Sequence, residues 1–120
     1  MLKVLVVEDE EMIRKGIVLA VDWAALDCVV VGEAANGVQA LEAVERYDPS
    51  LIITDLKMPV MDGLTATAEI RKFNAELPII ALTAHVFEND RLTAMDAGCN
   101  EYLVKPIDRA KLIAVLKKYS

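Results

Sequence analysis

The sequence lacks any apolar run long enough to cross a bilayer. Its longest, such as Ile17 to Val21 (IVLAV), fall far short of the roughly 20 residues a transmembrane helix needs. A signal-peptide core is missing too, because the apolar start MLKVLVV meets acid at Glu8. Cysteine is scarce: Cys28 and Cys99 form no C-x-x-C pair, and two thiols make no disulfide framework. Cations are outnumbered, with 13 Lys and Arg against 19 Asp and Glu, a net charge of −6 and a pI of about 4.7. Phosphate backbones are gripped by basic faces, so this balance argues against direct nucleic-acid binding. Together these absences predict a cytoplasmic chain with free thiols and no membrane partner.

What is present points to a folded domain. A length of 120 residues suits one domain, 1–120, able to bury about two-thirds of the surface its unfolded chain exposes. Hydrophobic content of 55% and a mean hydropathy of +0.35 rule out disorder. No repeat, linker or low-complexity segment interrupts the chain.

Short apolar runs alternate with longer amphipathic ones. LKVLVV (2–7), CVVVGEA (28–34), SLIIT (50–54), PIIALT (78–83) and EYLV (101–104) read as strands. They are rich in Val, Ile and Leu without clean alternation, as parallel strands covered on both faces are. Residues 10–21, 37–46, 63–73, 88–97 and 108–118 read as helices. Their expected inward stripes include Ile13, Ile17 and Ala20, then Ala40, Leu41 and Val44, then Leu64, Thr67 and Ile70. Leu92 and Met95 mark the fourth helix, and Leu112, Ile113 and Leu116 the fifth. Gly98 reads as a C-cap and Asp108 as an N-cap. Strict β-α alternation predicts an α/β fold with a doubly wound parallel sheet and right-handed crossovers. Sites in such sheets lie outside the carboxyl ends of the strands.

Those ends carry chemistry. The first strand runs into Glu8, Asp9 and Glu10, the third into Asp55, the fourth into Thr83, and the fifth into Lys105 and Pro106. The second, ending GEAANG, offers little. A carboxylate after LIIT is costly to desolvate, so Asp55 needs a counter-charge, a metal or a chemical task. Carboxylates brought together raise one another's pKa or share a cation, and hard oxygen ligands suit Mg²⁺. An Asp surrounded by Mg²⁺, Lys and Thr can attack phosphorus and form an aspartyl phosphate.

The set VVEDE (6–10), ITDLKMPVMDG (53–63), LTA (82–84) and YLVKP (102–106) resembles two-component response-regulator receiver domains, of which the chemotaxis regulators are a branch, over essentially the whole chain. The resemblance implies a flavodoxin-like fold, five strands in the order 2-1-3-4-5 with five helices. It implies Asp55 as phosphoacceptor, loaded by a sensor histidine kinase or a histidine phosphotransfer domain. Asp9, Asp55 and the backbone carbonyl of Lys57 would bind Mg²⁺, with Glu8 acting through a metal-bound water. Thr83 and Lys105 would hold the phosphoryl group, and Tyr102 would couple it to the face formed by the fourth helix, fifth strand and fifth helix. That face would serve an output domain or a homodimer. The Lys105–Pro106 peptide would be cis. Lys57 and His85 occupy positions that vary in the family and tune acyl-phosphate lifetime. Residues 1–63 resemble receivers attached to helix-turn-helix domains, and residues 76–109 those of hybrid sensor kinases.

Each residue also has an ordinary reading. Asp55 could be structural, Glu8 and Asp9 could favour a helix dipole as Glu10 does, Thr83 could be a strand residue, Lys105 a solvated lysine and Tyr102 a core aromatic. Their convergence is what favours the signalling switch. The competing function is an Mg²⁺-dependent aspartyl-phosphate phosphatase or phosphotransferase. Such enzymes show D-x-D at the nucleophile, where this chain has Asp55-Leu56-Lys57. Flavin binding is disfavoured by the acids of EDEE. The domain is therefore read as no turnover enzyme, but one that assists its own phosphorylation and dephosphorylation.

Overall fold

A computed structural model describes residues 1–56, 61–83 and 88–119, with the backbone alone for 88–91. Five strands, β1 (Leu2–Val7), β2 (Cys28–Ala34), β3 (Leu51–Asp55), β4 (Ile79–Thr83) and β5 (Glu101–Val104), alternate with α1 (Glu11–Ala20), α2 (Gly37–Tyr47), α3 (Gly63–Arg71), α4 (Glu88–Ala97) and α5 (Arg109–Tyr119). All pairings are parallel and the sheet order is β2-β1-β3-β4-β5, as expected. Leaving β1 in one direction to reach β2 and in the other to reach β3 makes the topological switch point lie between β1 and β3.

The central strands are hydrophobic on both sides because helices cover both. Val4, Val6, Leu51, Ile53, Ile80 and Leu82 pack with Ile17 of α1 and with Leu112 and Leu116 of α5. Leu5, Val7, Ile52, Ile79 and Ala81 pack with Ala40 and Val44 of α2, Ile70 of α3 and Ala94 of α4. Every residue of β3 and β4 is buried, whereas the edge strands β2 and β5 are only partly covered. Two-sided burial therefore holds for the centre of the sheet but not its edges, which lack a neighbouring strand.

Local chemistry sets the helix ends. Asn36 Oδ1 accepts from the Gln39 N–H at 2.9 Å, and Gln39 Oε1 accepts from the Ala35 N–H at 2.9 Å, a reciprocal cap on α2. Asp62 Oδ1 accepts from the Thr65 N–H at 2.7 Å at the start of α3. Asp108 caps α5 through the Ala110 N–H, 2.9 Å, and Gly98 closes α4 with φ of +112°.

One helix stripe differs from expectation. Leu92 is 49% exposed, and among the described side chains of α4 the one that enters the core is Ala94. Ala94 lies two residues on, roughly 200° around the helix, so the face that carries Leu92 is turned to solvent. A short 3₁₀ turn, Ala24–Leu26, also precedes β2, with Trp23 Nε1 donating to the Val18 carbonyl at 2.8 Å. This anchors Trp23 against the end of α1, the packing role expected of it.

Candidate functional site

The carboxyl edge gathers the predicted residues. Asp55 is the last residue of β3 and Thr83 the last of β4, and both are buried. Glu8 and Asp9 directly follow β1, and Lys105 follows β5. Carboxylate oxygens of Glu8, Asp9 and Asp55 lie within 4.8 Å of one another. Lys105 Nζ reaches into this group, 2.5 Å from Glu8 Oε1 and 3.3 Å from Asp55 Oδ2. Residues far apart in sequence thus meet because three parallel strands deliver their ends to one place. The Lys105–Pro106 peptide is cis, as the resemblance implied.

The electrostatics follow from enclosure. Glu8 is 0% exposed. Burial is the main reason its carboxyl is pushed up to about 7; the neighbouring Asp55 carboxylate adds to the rise, and Lys105 opposes it. Burial also works against the Lys105 charge, yet the Glu8 and Asp55 carboxylates outweigh it and hold the ammonium above its ordinary value.

One atom is left over: Glu8 Oε2 is fully enclosed and has no hydrogen-bond partner among the described residues. An orphaned buried carboxylate oxygen is costly, and here it belongs to a cluster of hard oxygen donors. The donor set fits a divalent cation such as Mg²⁺. The carbonyl of Lys57, the third protein ligand implied by the resemblance, lies outside the described residues, as does His85.

Three supporting residues escaped the sequence reading. Arg14 of α1 donates from Nη to the Glu8 carbonyl at 2.8 Å and from Nε to Glu33 of β2 at 3.1 Å. It therefore holds the chain at Glu8 against the neighbouring strand. Gly63 opens α3 right behind the acceptor: a Cβ there would lie 2.1 Å from the Asp55 carbonyl oxygen. Only glycine lets α3 start this close to the end of β3. Gly37 plays the same part at α2, donating its N–H to the Met61 carbonyl at 2.7 Å, where a Cβ would lie 2.5 Å from that oxygen. The sole sequence signal for these glycines is their place at helix starts, which a simple capping role also explains.

Strand alternation links Thr83 with Tyr102. Ile79 and Ala81 face the side covered by α2, α3 and α4, so Thr83 falls on that side by period two. Tyr102 pairs in register with Ala81 and packs half-buried against the same cluster. The two residues therefore share one face of adjacent strands.

Residues 4–117 match the response regulator receiver domain family. The chain belongs to this family. It is 36% identical over 117 residues to the sensor histidine kinase CheAY of Helicobacter pylori, a match covering 85% of this chain and 15% of that protein. It is 35% identical over 113 residues to the nitrate/nitrite response regulator NarL of Escherichia coli, covering 94% of this chain and 52% of that protein. The receiver thus corresponds to a small part of the first relative and about half of the second. Among solved structures, the receiver domain of a sensor histidine kinase from Pseudomonas aeruginosa superimposes with a TM-score of 0.85 at 37% identity, over 98% of this chain and 96% of that one. That structure carries a magnesium ion in its active-site cleft. The chain is a receiver domain of two-component signalling, a phosphoacceptor switch of a family whose members are generally signalling domains. Among the described residues, no helix is long and apolar enough to cross a membrane.

Proposed function

We propose that this receiver, one domain over residues 1–120, takes its phosphoryl group on Asp55. The observation that carries this reading is the Lys105 ammonium lying between Glu8 and Asp55 with Asp9 beside them. An oxygen of Asp55 forms a bond to phosphorus as the phosphorus–nitrogen bond of a phosphohistidine, protonated on its other ring nitrogen, breaks. The products are an acyl phosphate on this chain and a neutral imidazole on the donor. Buried at the strand end, Asp55 is held in one place for that attack. Lys105 then exchanges its contact with Asp55 for one with a phosphoryl oxygen. Thr83 donates a hydrogen bond to another. Glu8, Asp9 and Asp55, with the Lys57 carbonyl that the family resemblance implies, would hold Mg²⁺, Glu8 through a water. When bound, the ion offsets negative charge on the acceptor and the incoming group. The same surroundings assist loss of the phosphoryl group, when water attacks phosphorus and the carboxylate departs.

The donor is a sensor histidine kinase or a histidine phosphotransfer domain, on the cytoplasmic side. A groove of about 510 Å³ beside Lys105, floored by Ile13, Ile17 and Ile107, gives the donor an apolar seat next to the acceptor. Output passes from Thr83 to Tyr102 and on to α4, β5 and α5, which meet an output domain or a second receiver.

Beryllofluoride, a mimic of the phosphoryl group on a carboxylate, separates these roles. In nuclear magnetic resonance it is expected to shift signals of Tyr102 and of the α4-β5-α5 face in the native chain. Thr83→Ala and Lys105→Ala are expected to keep part of the binding and lose most of the shift at Tyr102. Full transmission in both variants would contradict the assigned roles.

A further inference from the structure

On the side of the sheet covered by α2 and α3, a groove of about 820 Å³ runs between those two helices. It is separate from the groove beside Lys105, which lies between α1 and the segment after β5. Leu41, Val44 and Met61 line its apolar floor. Phe73 stands at its edge 64% exposed, and Val38 is 38% exposed. Large apolar side chains clustered at a concave surface mark an interaction site more often than isolated ones do.

Charge tells what would cover it. The acids of the lining are Glu42, Glu45 and Asp48 from α2 and its cap, and Glu69 from α3. Its cation, Lys72, is tied to Glu69 at 2.9 Å. Glu42, Glu45 and Asp48 form no ion pair among the described residues and are exposed. The groove is thus apolar inside and acidic along the α2 rim.

We propose that the groove between α2 and α3 seats a basic amphipathic helix of a partner protein. Its apolar stripe lies on Leu41 and Phe73, and its Lys and Arg flanks face Glu42, Glu45 and Asp48. Helix-in-groove docking uses this pairing of an apolar stripe with matched charge at the rim. The occupant touches Met61, six residues after Asp55 in the chain, whose carbonyl is held by the Gly37 N–H at 2.7 Å. Because the other groove lies across the sheet, a phosphodonor and this partner fit at the same time.

The test titrates the labelled chain with a Leu/Lys amphipathic peptide of about 14 residues, roughly 21 Å long as a helix. A Leu/Glu peptide of the same apolar pattern is the control. Saturable shifts confined to Val38, Leu41, Met61 and Phe73 are expected with the basic peptide and none with the acidic one. Phe73→Ser, and separately Glu42→Lys with Glu45→Lys, are each expected to weaken binding about tenfold or more. All three positions are exposed, and circular dichroism checks that the fold is kept. The proposal is overturned if the shifts spread over other acidic surface or do not occur. Equal binding of the acidic peptide, or native affinity in Phe73→Ser, overturns it too. So does concentration-dependent burial of Phe73 without peptide, which would make a second copy the occupant.

Discussion

The two ends of the sheet are built on opposite plans. At the amino end, polar groups are paired within the chain itself. Asn100 Oδ1 accepts from the Ile79 N–H at 2.9 Å and from Arg71 at 2.8 Å. Asn74 Oδ1 accepts from the N–H groups of Glu76 and Leu77, and Ser50 accepts from Lys3 at 3.2 Å. Arg71 also donates twice to the Gly98 carbonyl, at 3.0 and 2.7 Å, and once to that of Asn74 at 3.0 Å. At the carboxyl end, Glu8 and Asp55 flank Lys105 with Asp9 beside the two acids, and Glu8 Oε2 lacks a partner among the described residues. One end is complete without ligands; the other holds repulsion that a cation or phosphoryl chemistry relieves. Reactivity is concentrated where hydrogen bonding is left unfinished, and the finished end keeps the fold in place.

That contrast breaks if polar deletions at the two ends act alike. Arg71→Ala removes several charge-assisted hydrogen bonds and is expected to cost about 3 kcal/mol in urea unfolding. A loss under 1 kcal/mol would show that the amino end is held otherwise. Mg²⁺ at about a hundredfold over its dissociation constant is expected to add about 2.7 kcal/mol by mass action, read as a rise in melting temperature. Asp9→Ala is expected to lose most of that rise, and an unchanged rise would remove the ion from the acid cluster. In metal-free buffer Asp55→Asn is expected to be neutral or stabilising by about 1 kcal/mol, because it subtracts a repelling charge. A loss of several kcal/mol would make Asp55 a structural acid.

The smallest effect concerns the start of β5. Lys118 and Tyr119 donate to Glu101 Oε2 at 2.9 and 2.7 Å. The Lys118 hydrogen bond is the main cause holding the Glu101 carboxyl below its ordinary value, while burial first and Glu101 second push the Tyr119 phenol up to about 12. A depressed acid stabilises above its unfolded pKa and loses that contribution as pH falls through the folded value. A raised phenol stabilises below about 10 and loses its contribution as pH climbs toward 12. Glu101→Gln is therefore expected to flatten stability against pH both below pH 4.5 and between pH 10 and 12. The change should be under about 1 kcal/mol, since Lys118 is largely solvated. Unchanged curves would mean the contact is idle.

The strands were legible because buried parallel strands carry their signal in composition. Leu2–Val7, Cys28–Ala34 and Glu101–Val104 stand where the apolar runs placed them. β3 and β4 each begin one residue later, since Ser50 and Pro78 serve as entries to their strands. The acids, Thr83 and Lys105 were legible because topology alone puts strand ends together. Arg14, Arg71 and Gly63 were not, because their roles depend on which distant carbonyl lies within reach, and no local pattern encodes that. Leu92 misled for a related reason: helical spacing names a face but not which face the rest of the molecule covers, and Ala94 lies on the covered one.

The most direct test of the acceptor is intact-mass analysis after incubation with acetyl phosphate. That donor can load an aspartate without a kinase, because its own acyl phosphate is a high-energy species. One phosphate is expected to add to the native chain when Mg²⁺ is present, and none when it is removed. The added mass is expected to map to Asp55 and to be absent in Asp55→Asn. Modification that persists unchanged in Asp55→Asn, or maps to another residue, would contradict the account.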